Sequence, residues 1–410
     1  MLSEERLHVA DYPVGLESQV AEIKKHLDVG CDDRVHMIGI HGMGGAGKST
    51  LACAVYNLIV AQFDGSCFLQ NVREESNKHG LKHLQSIILS QVLGTKINLA
   101  SEQQGISKIK KMLKRMKVLL ILDDVDQHKQ LQRIVGSPDW FGPGSRVIIT
   151  TRDKQLLASH EVKRTHEVKE LNTKDALKLL KLKAFKTEEV DPSYKEVLNE
   201  VVTYASGLPL ALEVIGSNLF GKSVQEWESA IKQYKRIPND QILEILKVSF
   251  DGLGEEEKSV FLDITCCFKG YKLSGVEEKL RALYNNCMKY HIGVLVEKSL
   301  IKISDDDRVT FHDLIEDMGK EIDRLESPRE PGKRRRLWLQ QDIIQVLKHN
   351  SVSERLMDGL VSHPFLSILF LYHSWFFSLK FVNFSLTILK LMPYIYLFCG
   401  CLVHSAPTGN

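Results

Sequence analysis

Short apolar runs alternate with amphipathic stretches along the first 170 residues of the chain. The apolar runs begin near residues 35, 67, 117 and 145 and read VHMIGI, CFLQNV, KVLLILDDV and SRVIITTRD. The stretches between them carry apolar residues at helical spacing, as in STLACAVYNLIV, LKHLQSIILSQVL and HKQLQRIV. Buried strands that alternate with helices predict a parallel sheet covered by helices on both faces.

The pattern changes after about Asn172, where amphipathic helical stretches replace the strands. Near residue 300, the segments SLIKIS and VTFH flank the polar turn DDDR, which predicts a β-hairpin. Helices with a single hairpin suggest a winged-helix module. The sequence therefore predicts an α/β domain followed by an all-α region and a winged-helix domain.

A glycine-rich loop, HGMGGAGKST, connects the first predicted strand to the first predicted helix. It matches the phosphate-binding motif G-x-x-x-x-G-K-[ST] in the strand, loop and helix context that the motif requires. Backbone N–H groups and the helix N-terminus surround phosphates in such P-loops, and the lysine adds a positive charge. We expect this loop to bind a nucleotide through Gly42, Met43, Gly44, Gly45, Ala46, Gly47, Lys48, Ser49 and Thr50.

Two carboxylates end the third apolar run, where ligands of parallel sheets bind. We expect Asp123 to hold Mg²⁺ together with the Ser49 hydroxyl, and Asp124 to orient water as a base. Arg152 follows the next run and is expected to reach the terminal phosphate. Alternatively, the two aspartates only end a strand in a turn, and the arginine only forms a salt bridge.

Composition limits the classes of partner and compartment. The 410 residues include 54 Lys and Arg against 52 Asp and Glu, so a net charge of +2 does not favour nucleic acid as the main partner. The eight cysteines lack paired C-x-x-C spacing, which predicts reduced, mostly buried thiols and a cytoplasmic location. The N-terminus does not have the pattern of a secretory signal.

The chain becomes apolar and aromatic at 364–403, with interruptions at Lys380, Lys390 and Pro393. Each uninterrupted run is shorter than the roughly 20 apolar residues of a bilayer span. We interpret 351–410 as a tail foreign to the fold, such as a truncated or read-through end. A single membrane anchor is the alternative.

The order of the motifs resembles a known family. VGLESQV, GMGGAGKST, FLQNVREES, LLILDDVD, GSRVIITTRD, GLPLALEVIG, FLDITCCFKG and FHDLIEDMGKEI follow one another as in the NB-ARC region of plant intracellular disease-resistance receptors. Asp126 and the FLDITCCFKG segment resemble the branch that carries an N-terminal Toll/interleukin-receptor domain. Neither that domain nor leucine-rich repeats are recognised in this sequence. The resemblance covers roughly residues 11–350.

The resemblance implies three domains and a function. A P-loop nucleotide-binding domain would span 11–171, a helical domain 172–250 and a winged-helix domain 251–350. In this family the domains close over ADP and open when ATP replaces it, so the chain would be a molecular switch in plant innate immunity with at most slow ATP hydrolysis. Its partners would be the nucleotide with Mg²⁺ and other receptor chains or signalling proteins.

The resemblance also implies roles for residues outside the glycine loop. Val14 and Gly15 would line the base, Pro209 would pack near the adenine and sugar, and His312 would reach the β-phosphate of ADP. Two positions depart from the family pattern. Phe311 stands where the family usually has methionine, and Leu16 stands where related ATPases often have arginine.

Two other functions remain open at this stage. A P-loop small-molecule kinase would turn over candidate acceptors rapidly, whereas a truncated, non-switching adaptor would bind full-length receptors without depending on nucleotide. We interpret the basic stretches at 108–117 and 332–336 as a solvated helix face and a linker, rather than as phosphate-binding or nuclear-localisation sites.

Overall fold

The computed structural model describes residues 6–28, 33–284 and 288–349. They divide into two units, the first comprising the chain up to Gly252 together with Leu295–Ile301, and the second comprising Leu253–Val294 with the chain from Lys302. The tail at 351–410, including 364–403, lies outside the described residues. Within the described ranges, none of the helices combines the length and the apolar character needed to cross a bilayer. The domain boundaries at 171 and 250 remain predictions.

A five-stranded parallel sheet forms the centre of the first unit, as the alternating pattern predicts. Its strands follow the spatial order β2 (Gly65–Leu69), β3 (Val118–Val125), β4 (Arg146–Thr151), β1 (His36–His41) and β5 (Arg164–Glu167). The helices of this part are α1 (Glu17–Leu27), α2 (Lys48–Ile59), α3 (Val72–His79), α4 (Leu81–Leu93), α5 (Glu102–Leu113), α6 (His128–Ile134) and α7 (Lys154–Ser159).

The central strands are buried on both faces, which explains their continuous apolar sequences. Every residue of β4 is buried, and in β3 only Asp124 is partly exposed. On one face, alternate residues of β3 (Val118, Leu120 and Leu122) join a core with side chains of α4, α5, α6 and α7. Helix α2 packs on β1, β3 and β4, and α1 packs on α2 and β1.

Two local features differ from the sequence prediction. The strand predicted at 67–72 ends at Leu69, because Asn71 adopts a left-handed conformation and Val72 begins α3. Strand β5 was not predicted, since its sequence RTHE is polar. It lies at the sheet edge and pairs only with β1, so solvent-facing polar residues are tolerated there.

The remaining elements of the first unit are helical, in agreement with the amphipathic pattern after Asn172. They are α8 (Thr173–Phe185), α9 (Lys195–Ala205), α10 (Pro209–Asn218), α11 (Val224–Arg236) and α12 (Asp240–Asp251). Asn172 caps α8 by accepting a hydrogen bond from the Asp175 amide. The fully buried Trp227 ring stacks on Phe185, which anchors α11 to α8.

The second unit contains helices and the predicted hairpin. Its elements are α13 (Glu255–Cys267), α14 (Leu273–Tyr284), α15 (Met288–Glu297), β6 (Lys302–Ile303), β7 (Val309–Thr310), α16 (Asp313–Glu326) and α17 (Gln340–His349), although the last residues of α15 belong to the first unit. Strands β6 and β7 are antiparallel, and the acidic turn DDDR connects them. Helices with one short hairpin agree with the winged-helix prediction.

Four cysteines lie in the described residues, and all four are free thiols. Cys53, Cys67 and Cys266 are buried, and Cys267 is partly buried. Burial raises the pKa of the Cys67 thiol to about 12, so this group is an unreactive core residue. The predicted reduced and mostly buried state is confirmed for these four.

A buried ionic cluster holds the second unit together. Arg336 donates to Asp263, to Asp323 at 3.3 Å and to the Ser259 carbonyl at 3.0 Å, and these three charged side chains are at most 2% exposed. Arg334 is also buried and pairs with Asp342. The basic stretch at 332–336 is therefore not a continuous exposed run, which supports the linker interpretation.

We expect Arg336→Ala to destabilise the second unit by about 3–5 kcal/mol, because it leaves buried carboxylates without a counter-charge. Burial raises the pKa of Asp323 to about 7, and Arg336 opposes that rise. Without Arg336 the pKa of Asp323 rises further. The difference in unfolding free energy between the wild type and the variant should therefore grow as pH increases through 7. Urea unfolding of both proteins on either side of this pH measures the difference.

Lys333→Ala is the matched control, because Lys333 is 65% exposed and pairs only with Glu330 among the contacts described. We expect it to change the free energy of unfolding by less than about 0.5 kcal/mol. Similar losses in both variants would contradict the role of the buried cluster.

Candidate nucleotide-binding site

Three adjacent strands end at the same edge of the sheet, and each end carries a residue singled out in the sequence. β4 lies between β1 and β3. The glycine loop follows β1, Asp123 and Asp124 end β3, and Arg152 follows β4. The parallel order therefore brings together residues that are distant in sequence, at the edge where such sheets bind ligands.

The glycine loop wraps around the lysine that follows it. Gly47 precedes α2 with a φ of +94°, and Lys48 is the first residue of that helix. The Lys48 ammonium donates to the carbonyls of Gly42 at 2.8 Å and Met43 at 2.7 Å. Burial, with a further contribution from Arg152, lowers the pKa of Lys48 to about 7. A phosphate at this helix N-terminus would compensate the buried charge.

Packing against other parts of the protein favours glycine at two positions of the loop. A Cβ atom at Gly44 would lie 2.7 Å from the Arg152 guanidinium, and one at Gly45 would lie 2.6 Å from the Leu210 Cβ. The Gly45 carbonyl also accepts a hydrogen bond from the Leu210 amide at 3.2 Å. The first turn of α10 therefore supports the loop directly.

Ser49 and Asp123 are already in contact. The Ser49 hydroxyl donates to Asp123 Oδ1 at 2.7 Å, and the Thr150 hydroxyl donates to the same oxygen at 2.6 Å. Neighbouring ligands of an octahedral Mg²⁺ lie about 2.9 Å apart, so the serine and aspartate oxygens suit two positions around that ion. Thr150 fixes the orientation of the carboxylate, as outer-shell partners of metal ligands do.

Asp124 turns out of the strand that carries it. Its φ is +57°, and the pairing of β3 with β4 shifts register between Leu122 and Val125. Its carboxylate lies 2.8 Å from Arg73 Nη2 and 3.8 Å from Arg152 Nε. Asp124 thus lies near two arginines, and its contact with Arg152 matches the salt-bridge alternative for that arginine, while the expected roles of both residues toward water and phosphate remain predictions.

Arg73 was not predicted as a site residue. It lies in the first turn of α3, directly after β2, within the segment VREES. An arginine at the start of a helix after a neighbouring strand end was the available signal, but its partner could not be identified without the sheet order.

Arg152 connects this site to two later segments of the first unit. Its guanidinium donates to the Ile245 carbonyl in α12 at 2.6 Å, and its own carbonyl accepts from the Ser299 hydroxyl at 3.1 Å. Lys298 pairs with Asp153 at 3.0 Å. These contacts surround a cavity of about 200 Å³ beside the carboxylates, so polar groups from several segments face one space.

A second cleft lies beside the glycine loop. Several of the predicted nucleotide-binding residues line it together with Leu16, namely Val14, Ala46, Gly47, Thr50 and Pro209. Gly15 has a φ of +71°, and a Cβ at this position would lie 2.7 Å from a methyl carbon of Leu171 and 3.1 Å from a carboxylate oxygen of Asp175. Backbone conformation and packing therefore both favour glycine here. The cleft has a volume of only about 40 Å³, so its mainly apolar lining would have to move apart before a nucleotide base could enter. Leu16, at the position that departs from related ATPases, contributes to this apolar lining.

His312 belongs to the second unit, where it caps α16. Its Nδ1 accepts a hydrogen bond from the Leu314 amide at 3.1 Å, so in the neutral ring the proton is on Nε2. Phe311 is buried beside it. Lys269 pairs with Asp313 and Glu316 and supports the same helix turn. His312 thus marks the start of α16, while its phosphate-binding role remains a prediction.

Comparison with family models identifies two domains. Residues 16–190 match the model of the NB-ARC domain. Residues 254–327 match the model described as "Disease resistance protein Roq1-like, winged-helix domain". Among solved structures, the Walker-type ATPase of Pyrococcus abyssi resembles this chain with a TM-score of 0.53 and a sequence identity of 14%. The similarity covers 75% of this chain and 96% of that one. This neighbour shows the fold alone.

Curated relatives extend the agreement along most of the chain. TMV resistance protein N of Nicotiana glutinosa is 38% identical over 82% of this chain and 30% of its own length. Disease resistance protein RUN1 of Vitis rotundifolia is 41% identical over 81% of this chain and 25% of its own length. The chain thus spans about a quarter to a third of these relatives. With an NB-ARC domain followed by a Roq1-like winged-helix domain, it belongs, over this region, to the family of plant disease resistance proteins.

Proposed function

We propose that this chain is a molecular switch of plant innate immunity that binds ADP or ATP with Mg²⁺ in the cytoplasm. Similarity to plant disease resistance proteins supports the biological context. The free, mostly buried thiols support a reducing compartment. In this proposal its partners are other receptor chains or signalling proteins, and no specific nucleic acid is required.

The contact between Ser49 and Asp123 beside the Lys48 loop is the observation that carries the nucleotide proposal. The loop offers a buried cation and a helix N-terminus for phosphates, and the serine and aspartate oxygens offer two metal ligands. Bound Mg²⁺ would supply positive charge that neutralises phosphate oxygens. The protein would orient that site through Thr150, which holds the Asp123 carboxylate.

The surroundings of Asp124 favour slow hydrolysis over rapid turnover. A carboxylate that orients water must present an oxygen to that water, but both Asp124 oxygens face guanidinium groups. Arg73 and Arg152 therefore compete with water for the proposed base. Slow hydrolysis suits a switch, because each nucleotide state then persists long enough to be read by a partner.

The proposed closed state uses His312. In this proposal, the Nε2–H of its neutral ring donates to the β-phosphate of ADP, while Nδ1 continues to accept from the Leu314 amide. One ring would thus cap α16 and bind nucleotide at the same time. The ADP form gains this hydrogen bond and the ATP form does not, which gives the two nucleotides different effects on domain arrangement.

We expect the protein to co-purify with ADP, and Lys48→Ala to lose it, because the variant removes the cation that faces the phosphates. Nucleotide released by denaturation and separated by chromatography gives the amount per chain. Lys24→Ala, which removes an exposed lysine of α1, should retain wild-type ADP content. Undiminished ADP in Lys48→Ala would refute the assignment of the loop.

Hydrolysis of ATP should depend on Mg²⁺ and proceed below the roughly 1–100 per second typical of kinases. Asp123→Asn keeps the size of the side chain but removes its charge. The Mg²⁺ concentration that gives half-maximal hydrolysis should therefore rise at least about tenfold. Asp126→Asn is the nearby control and should retain the wild-type Mg²⁺ dependence, because its carboxylate instead accepts from Gln130. Kinase-like turnover with an added acceptor would favour the phosphotransferase alternative.

His312→Asn separates the two roles of the histidine. Asparagine can still cap α16, but it cannot replace the distant ring N–H. A charge-assisted hydrogen bond contributes about 1.5–3 kcal/mol, so ADP affinity should fall about tenfold or more while ATP affinity stays nearly constant. Wild-type ADP affinity in His312→Asn together with a loss in His312→Ala would show that the residue only caps the helix.

A further inference from the structure

Three side chains of types that can ligate a metal lie together on helices α3 and α4, and the nucleotide proposal uses none of them. Glu75 and His79 are on α3, and His83 is in the first turn of α4. One carboxylate oxygen and one nitrogen from each imidazole all lie within 4.8 Å of one another. Glu75 and His79 are four residues apart within α3 and therefore lie on the same face of that helix.

A glycine between the helices allows this arrangement. Gly80 has a φ of +77°, and a Cβ at this position would meet no neighbour within 4 Å, so conformation rather than space favours glycine. Its amide donates to the Ser76 carbonyl at 2.9 Å, and its own carbonyl accepts from the His83 amide at 3.2 Å. Gly80 thus ends α3 with its amide and begins α4 with its carbonyl, so the two helices meet at one residue and His83 lies next to His79.

The contacts among the three side chains are short. His79 Nδ1 lies 3.0 Å from Glu75 Oε2, and the centroids of the His79 and His83 rings lie 5.0 Å apart. Ligands of a tetrahedral Zn²⁺ lie about 3.3 Å apart, given metal–ligand bonds of about 2.0–2.2 Å. Small side-chain rotations would therefore bring all three donors to coordinating distance. Both histidines are exposed, which leaves the site accessible to an ion.

We propose that Glu75, His79 and His83 form a Zn²⁺ site. Two imidazoles and one carboxylate match the donor types that Zn²⁺ accepts, and three protein ligands leave a fourth position for water. The alternative is an exposed ion pair between Glu75 and His79 with a neighbouring histidine, which would bind no metal. The proposed nucleotide site uses none of these three side chains.

The position of the site gives the ion a structural effect. The same helix α3 carries Arg73, which pairs with Asp124, and Ser76, whose hydroxyl accepts from Gln130 Nε2 at 2.8 Å. A metal bound across the junction would fix α4 to the last turn of α3. It would thereby brace the helix that presents Arg73 to the strand end.

The test is a metal titration of the whole chain after chelator treatment and removal of the chelator. Zn²⁺ binding is followed by calorimetry, and Co²⁺ is used as a visible probe of four-coordinate geometry. His79→Ala and His83→Ala should each bind one ion fewer per chain, or bind it with affinity reduced by more than about tenfold. Glu75→Gln should weaken the same binding event. The difference from wild type excludes ions bound elsewhere on the chain.

His8→Ala is the control, because His8 is an exposed histidine beside a single carboxylate, that of Asp11. It should retain wild-type stoichiometry and affinity. Far-UV circular dichroism shows whether each variant is folded and depends on neither proposal, so failure of this proposal is distinguishable from failure of the nucleotide site. Unchanged metal binding in both histidine variants would overturn the site, and loss in those variants without any loss in Glu75→Gln would overturn the three-donor arrangement.

Discussion

The carboxylate of Asp123 is the point on which the strand-end site depends. It accepts hydrogen bonds from Ser49 at the start of α2 and from Thr150 in β4, and so joins three segments that are distant in sequence. This junction exists only because β4 lies between β1 and β3. The same strand order carries Arg152 toward Asp124. The strand order therefore fixes the positions of the glycine loop, the proposed metal ligands and Arg152 relative to one another.

The fold was predictable where burial leaves a strong mark on the sequence. Strands β3 and β4 are covered on both faces, so their residues form continuous apolar runs. Strand β5 gives no such signal, because an edge strand with neighbours on one side keeps polar residues such as Arg164 and Glu167. The end of β2 was misjudged because Asn71 stops the strand by its backbone conformation, which residue type alone only weakly indicates.

The site was predictable to the extent that its residues form contiguous motifs. The glycine loop and the paired aspartates are readable because strand, loop and ligand follow one another along the chain. The pairing of Arg73 with Asp124 depends on two strands lying side by side and on a left-handed aspartate, and neither is encoded in a short motif. Likewise, the need for glycine at position 45 arises partly from Leu210, on a helix far later in the chain.

That support from α10 extends the requirements of the phosphate loop beyond its own motif. The Gly45 carbonyl accepts a hydrogen bond from the Leu210 amide, and a Cβ at Gly45 would lie 2.6 Å from the Leu210 Cβ. A substitution in the first turn of α10 can therefore change the shape of the loop while the motif itself stays intact. An unaltered glycine motif is consequently an incomplete guide to ligand binding by this chain.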